Sequence, residues 1–229
     1  MFNDPKILAL AFFGGILPSL LWLWFWVKEE EKRVQPKGLL TIVFILGMTA
    51  VICVLPIEKF IQTYVSSNTW RLIGWASAEE ILKYIAVLVV VYGTNDIDEP
   101  VEWPIYLITA ALGFAALENA LFLIKPLSLS IGATTVSLLT GELRFLGSTL
   151  LHTVSSGILG IALGIAFHYK GLRKYWHVAV GLFFAISLHS IFNFFIIRNG
   201  GSDFLKVFAF LWVVTVVVML LFEKVRRMS

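Results

Sequence analysis

Apolar runs of about 20 residues, separated by short polar segments, occupy most of the chain. They fall at roughly 7–27, 38–57, 70–93, 103–124, 143–168, 173–197 and 204–222. A hydrocarbon core of about 30 Å takes about 20 helical residues to cross. The pattern predicts an all-α fold, a polytopic integral membrane bundle of about seven transmembrane helices. Short connections leave no room for a separate soluble unit, so 1–229 reads as one transmembrane domain. Segment 125–142 fits least well. Its apolar stretch, 131–140, is too short to span and reads as a re-entrant or interfacial piece, or as a loop folded over the bundle.

Local punctuation agrees with these runs. Pro5, Pro36, Pro56, Pro100, Pro104 and Pro126 fall at the expected span ends, where a missing N–H costs least. Trp22, Trp24, Trp26, Trp70, Trp103 and Trp176 lie near span ends, as interfacial anchors do. Gly157, Gly160 and Gly164 mark a close-packing helix face. The first run lacks a basic leader and a small-residue cleavage site, so it reads as a retained helix.

Composition adds two points. The hydrophobic share is 59%, above the roughly 45–50% of soluble domains. The net charge of +3 comes from basic clusters between spans, which argues for membrane orientation and against nucleic acid. Lys28, Lys32, Arg33 and Lys37, then Lys170, Arg173 and Lys174, then Lys224, Arg226 and Arg227 all fall on one side of a seven-span chain. That side is expected to be cytoplasmic, with the C-terminus inside and the N-terminus outside the cell membrane. The single cysteine, Cys53, offers no internal disulfide and no CxxC site, and reads as a small packing residue.

Ionisable side chains inside a span cost about 2.5–3.5 kcal/mol each on insertion scales and face the bundle interior. Span three carries Glu79, Glu80 and Lys83, and span four Glu118 and Asn119; His152 lies in span five, His189 and Asn193 in span six. Counted from the nearer span end, Glu79 lies about 9 residues deep, Glu118 about 6, His152 about 9 and His189 about 8. Adjacent helices are antiparallel, so these offsets share one membrane face and put the four groups roughly 9–14 Å below it. Spacing within each helix adds pairs. Lys83 can meet Glu79 at i,i+4 or Glu80 at i,i+3, while His152 faces Ser156 and His189 faces Asn193. Crowded carboxylates suit a general base, and a His–Asn pair suits an oxyanion. The set therefore points to attack of water on a carbonyl.

The same residues carry a resemblance. Ala-Ser-Ala-Glu-Glu-Ile-Leu-Lys at 76–83 resembles the EExxK motif of the PrsW family of intramembrane proteases, and Phe114-Ala-Ala-Leu-Glu118-Asn119 its FxxxEN motif. His152-Thr-Val-Ser-Ser156 is similar to HxxxS, and His189-Ser-Ile-Phe-Asn193 to HxxxN. All four occur in order, each on its own span, across about 70–197. The wider superfamily of CAAX-prenyl and bacteriocin-processing proteases has EExxxR and FxxxH. Lys83 and Glu118 depart from that pattern and agree with PrsW. The resemblance implies a glutamate-based endopeptidase that uses no cofactor. Paired Glu79 and Glu80, with Glu118, would activate water; His189 and Asn193 would stabilise the oxyanion and His152 would orient water or substrate. Lys83, Asn119 and Ser156 would support them. It also implies a single-pass membrane substrate such as an anti-sigma factor, cut first in stress signalling.

Other readings stay open on the residues alone. Glu79 and Glu80 could form only a packing salt bridge with Lys83. Glu118, His152 and His189 could hold zinc, leaving an open position for water. Intramembrane Glu and His also mark ion-coupled transporters, although no internal repeat or broken helix pair supports one. A non-catalytic membrane scaffold is the remaining alternative.

Overall fold

The computed structural model describes residues 4–29, 37–94, 97–129, 135–198 and 204–229. They form seven helices: α1 (Pro5–Glu29), α2 (Lys37–Tyr64), α3 (Asn68–Thr94), α4 (Glu102–Leu129), α5 (Thr135–Ile165), α6 (Leu172–Arg198) and α7 (Phe204–Arg226). No strand occurs among the described residues. Each expected span falls on one helix. Most of 125–142 is also helical: α4 continues to Leu129 and α5 opens at Thr135, so 135–140 begins a long helix rather than a re-entrant piece. Residues 130–134 lie outside the described residues.

Six helices are long and apolar enough to cross a membrane. The exception is α3, which carries Arg71, Glu79, Glu80 and Lys83. Its charges are tolerable because α2, α4, α5 and α6 pack around it. The outward faces are apolar instead: Leu10, Phe13 and Leu21 of α1, Ile52 and Phe60 of α2, and Leu205 and Leu220 of α7 are exposed. In water such patches would be anomalous; against lipid tails they are the expected surface.

The axis of the bundle is α4, buried without interruption from Glu102 to Ala116. Small residues let its neighbours close on it. A Cβ at Gly15 of α1 would overlap the backbone of Ala116 and Ala120, and one at Gly47 of α2 the backbone of Ala110. One at Gly113 of α4 would overlap Phe44, and one at Gly160 of α5 the backbone of Pro104. Three helices thus touch α4 main chain to main chain. Beyond the Gly47–Gly113 crossing, Ala50, Val51 and Val54 of α2 pack on Phe114, with Leu117 alongside.

Three local readings change. Pro56 sits inside α2, which runs past the expected end at 57 to Tyr64. Trp26 and Trp103 are buried rather than interfacial, Trp26 stacking edge-on against Phe222 at 5.3 Å. Cys53 is exposed on α2 and does not pack inside.

Candidate active site

Four helices deliver the intramembrane polar residues to one place. Glu79, Glu80 and Lys83 come from α3, Glu118 from α4, His152 and Ser156 from α5, and His189 from α6. All but Glu118 are buried, and the Glu118 side chain is 22% exposed. The depth shared in the sequence is therefore a shared position in space. Three-and-four spacing explains how α3 contributes three groups at once: a single helical turn carries Glu79, Glu80 and Lys83.

Glu80 is fully engaged. Lys83 Nζ donates to its Oε1 at 2.7 Å and His189 Nδ1 lies 2.9 Å from the same oxygen. Ser156 Oγ donates to Oε2 at 2.7 Å. Lys83 Nζ also lies 2.8 Å from His152 Nδ1 and 4.4 Å from the centre of the Phe114 ring. On its other side, His152 Nε2 is 2.8 Å from Glu118 Oε2. Asn119 turns away from Glu118 and donates to Thr149 Oγ1 at 2.9 Å, tying α4 to α5.

These partners assign the histidine protons. His152 donates Nε2–H to Glu118 and accepts from Lys83 at Nδ1. His189 donates Nδ1–H to Glu80, which leaves a lone pair on Nε2. A ring nitrogen of each histidine flanks Glu79: Oε2 lies 3.8 Å from His152 Nδ1, whose lone pair accepts from Lys83, and 3.7 Å from His189 Nε2. That oxygen is buried, and no N–H or hydroxyl donates to it. Lys83 Nζ stands 3.8 Å from it, an ion-pair distance rather than a hydrogen bond.

Glu79, His152 and His189 also form the cluster among the described residues whose donor atoms lie within 4.8 Å of one another. The expected trio was Glu118, His152 and His189. Glu118 instead meets His152 on the far nitrogen, and Glu79 takes the inward place.

A cavity of about 770 Å³ opens onto the cluster, lined by Glu58, Glu79, Glu118, His152, His189 and Asn193 among others. Apolar walls come from Val51 and Val54 of α2, Phe114 of α4 and Phe192 of α6. Asn193 joins His189 on this wall one turn away, as its i,i+4 spacing requires. Glu58 of α2 was not among the expected residues. It belongs to a helix that continues beyond its apolar run, and its adjacent Lys59 makes it read as a charged end.

A polytopic helical bundle with acids and histidines converging on an internal cavity has the form of an intramembrane hydrolase. Comparison with known proteins names the kind. Residues 35–222 match the family described as "PrsW family intramembrane metalloprotease". The chain belongs to the PrsW family and is an intramembrane protease. It is 27% identical over 194 residues to "Protease PrsW" of Oceanobacillus iheyensis, covering 83% of this chain and 84% of the relative. Similarity to the protein of the same name from Geobacillus kaustophilus is 27% over 191 residues, 81% of this chain and 79% of the relative. For Bacillus subtilis it is 24% over 205 residues, covering 87% and 89%. No solved structure matches the chain.

Proposed function

We propose that this protease cuts membrane-anchored proteins with Glu79 at the reacting centre. The observation that carries the reading is Glu79 Oε2, a buried carboxylate oxygen without a hydrogen-bond donor, on the cavity wall and within 3.8 Å of a ring nitrogen of each of two histidines. Glu80 is saturated by Lys83, His189 and Ser156, so it serves as an anchor rather than the base.

In this reading Glu79 takes a proton from water as the water attacks the peptide carbonyl. The proton passes to His189 Nε2, the lone pair nearest Glu79. His189 then has an N–H at the cavity and, with Asn193, donates to the oxyanion. His152, fixed between Glu118 and Lys83, orients the water. The same proton later reaches the leaving amine.

A second reading uses a divalent cation, and one feature favours it. Each histidine hydrogen-bonds a carboxylate through one ring nitrogen and turns the other toward Glu79, as metal-ligating histidines do. Zinc bonds of about 2.0–2.1 Å set ligand atoms roughly 3.4 Å apart, near the 3.7 and 3.8 Å found here. Glu79, His152 and His189 would hold the ion, with Lys83 yielding His152 Nδ1 and keeping Glu80. A bound cation supplies Lewis-acid polarisation of water and carbonyl. The word "metalloprotease" in the family description supports this reading.

The substrate is proposed to be a single-pass membrane protein such as an anti-sigma factor, cut first in stress signalling. Resemblance to the PrsW motifs supports this. The basic groups at Lys28, Lys170, Arg173, Lys174, Arg226 and Arg227 support a cytoplasmic C-terminus and an outside N-terminus. The cluster would then lie in the outer half of the bilayer.

The test is co-expression with a tagged single-pass anti-sigma-type protein. Cleavage should vanish in a Glu79→Gln protein that accumulates normally; cleavage that persists would sink the proposed centre. Metal analysis of the purified protein then separates the readings. Stoichiometric metal with chelator-sensitive activity selects the cation, and metal-free active protein selects the glutamate base.

A further inference from the structure

The cavity that holds Glu79 is ringed by α2, α3, α6, α5 and α4, each packed on the next and α4 again on α2. Four of these five seams are closed by direct contacts. Between α2 and α3, Trp75 Nε1 donates to the backbone carbonyl of Glu58 at 3.1 Å, and a Cβ at Gly74 would lie 3.2 Å from the Ile61 side chain. His189 on Glu80 joins α6 to α3. The His152 and His189 rings, 5.0 Å apart, join α5 to α6, and Asn119 on Thr149 joins α4 to α5.

The fifth seam differs. Helices α2 and α4 touch main chain to main chain at Gly47 and Gly113, and Val51 and Val54 still cover Phe114. Toward their C-terminal ends the cavity walls of these two helices are exposed: Leu55 by 48%, Leu121 by 39% and Phe122 by 51%, with Lys59 and Gln62 beyond. The described wall residues of α3, α5 and α6 are buried or half-buried. The mouth is thus a cleft between α2 and α4. It lies within two stretches apolar enough to cross a membrane, and Ile52 and Phe60 continue the exposed apolar surface along α2. Its apolar part therefore faces the acyl chains.

The order of residues along the cleft fits one class of partner. Over about three turns the α2 wall passes from Val51 and Leu55 to Glu58, Lys59 and Gln62, apolar and then polar. The end of a membrane-spanning segment has the same order, an apolar run and then a polar flank. A cleft open to lipid along its side admits such a segment without exposing its apolar residues to water. We infer that the substrate's spanning segment enters from the bilayer between the C-terminal halves of α2 and α4. Its apolar residues pack on Leu55, Leu121 and Phe122, and its polar flank meets Lys59 and Gln62. The inference rests on the reading above, in which the cut chain is a single-pass membrane protein and Glu79 is the centre.

A reversible plug in the cleft tests it. Full-length protein carrying Cys53→Ser and Leu55→Cys is labelled at position 55 with a bulky methanethiosulfonate, and mass spectrometry confirms the label. Wild-type protein labelled at Cys53 is the control. Cys53 is exposed on α2, and its two-residue offset from Leu55 turns it about 160° round the helix, away from the cleft. The probe is the tagged single-pass anti-sigma-type protein. The plug should lower kcat/KM by about tenfold or more, as a misfit in an apolar pocket does. A reducing agent should return it to the unlabelled variant's own value, while the label on Cys53 changes nothing. In Glu79→Gln protein, a benzophenone side chain at position 122 should cross-link to the probe's spanning segment, and one at position 220, exposed on α7, should not.

Cleavage at the unlabelled rate with position 55 fully plugged overturns the route. So does an equal loss from the label on Cys53, or capture of lipid alone at position 122. Unlabelled Glu79→Gln protein separates the two levels. If it still cuts, or if the wild type leaves the probe intact, the underlying reading fails and the inference with it. If it is dead while the plugged protein cuts normally, only the route fails.

Discussion

Replacing Lys83 by Met tests how the buried charges are balanced. The Lys83 and Glu80 side chains are both 0% exposed and 2.7 Å apart. Removing one partner of such a pair leaves an uncompensated buried charge and costs about 3–5 kcal/mol. Here Glu80 keeps Ser156 at 2.7 Å and His189 at 2.9 Å, which places the cost near the lower end. Loss of the cation over Phe114 adds about 0.5–2 kcal/mol, so the expected total is roughly 3.5–5 kcal/mol. Met fills most of the Lys stem volume, and little of this is cavity formation. The second half of the cycle is Glu80→Gln, alone and combined with Lys83→Met. With both charges gone, the double variant should be more stable than the sum of singles predicts by about 2 kcal/mol, within the range of coupled contacts. Equilibrium unfolding in mixed micelles on titration with SDS reads all four proteins. A single-variant cost below about 1 kcal/mol, or additivity within about 0.5 kcal/mol, would refute the argument that this pair carries the balance.

Three further variants test the packing and the polar cluster. Gly113→Val should force α2 from α4, because a Cβ there meets the Phe44 backbone, and should cost at least the ~1–3 kcal/mol of core overpacking. Gly38→Ala, with open space around it, should stay within about 0.5 kcal/mol of the wild type in the same unfolding measurement. Ser156→Ala removes the hydroxyl donated to Glu80 and should cost about 1.5–3 kcal/mol of stability, while slowing cleavage far less than Glu79→Gln. Equal loss of cleavage at unchanged stability would instead put Ser156 in contact with the reaction.

Helix number and order could be read from apolar run length, because lipid leaves a chain few ways to satisfy its backbone. The polar layer was legible for a related reason: rise per residue converts position along a span into depth. Rotation about each helix axis is not fixed by depth. Glu79 and Glu118 share a level, yet they approach opposite nitrogens of His152, and only packing decides which carboxylate faces inward. Proximity to a span end misled in the same way for Trp26 and Trp103, where neighbouring helices rather than headgroups cover the rings. Glu58 was hidden by an end set too early. Measured from the true end of α2 at Tyr64, it lies about 6 residues inside the helix.

The charged character of α3 constrains how the protein is made. At a bilayer centre, charged residues oppose partitioning by about 2.5–3.5 kcal/mol each on the translocon scale. As it leaves the translocon, α3 brings Glu79, Glu80 and Lys83, while two of their hydrogen-bond partners, His152 and His189, have yet to be synthesised. Stable integration of α3 is therefore expected to depend on α5 and α6, which pack on it and carry those partners. The arrangement that shields the buried acids in the finished bundle makes its third helix dependent on helices translated later, and couples completion of the polar cluster to completion of topology.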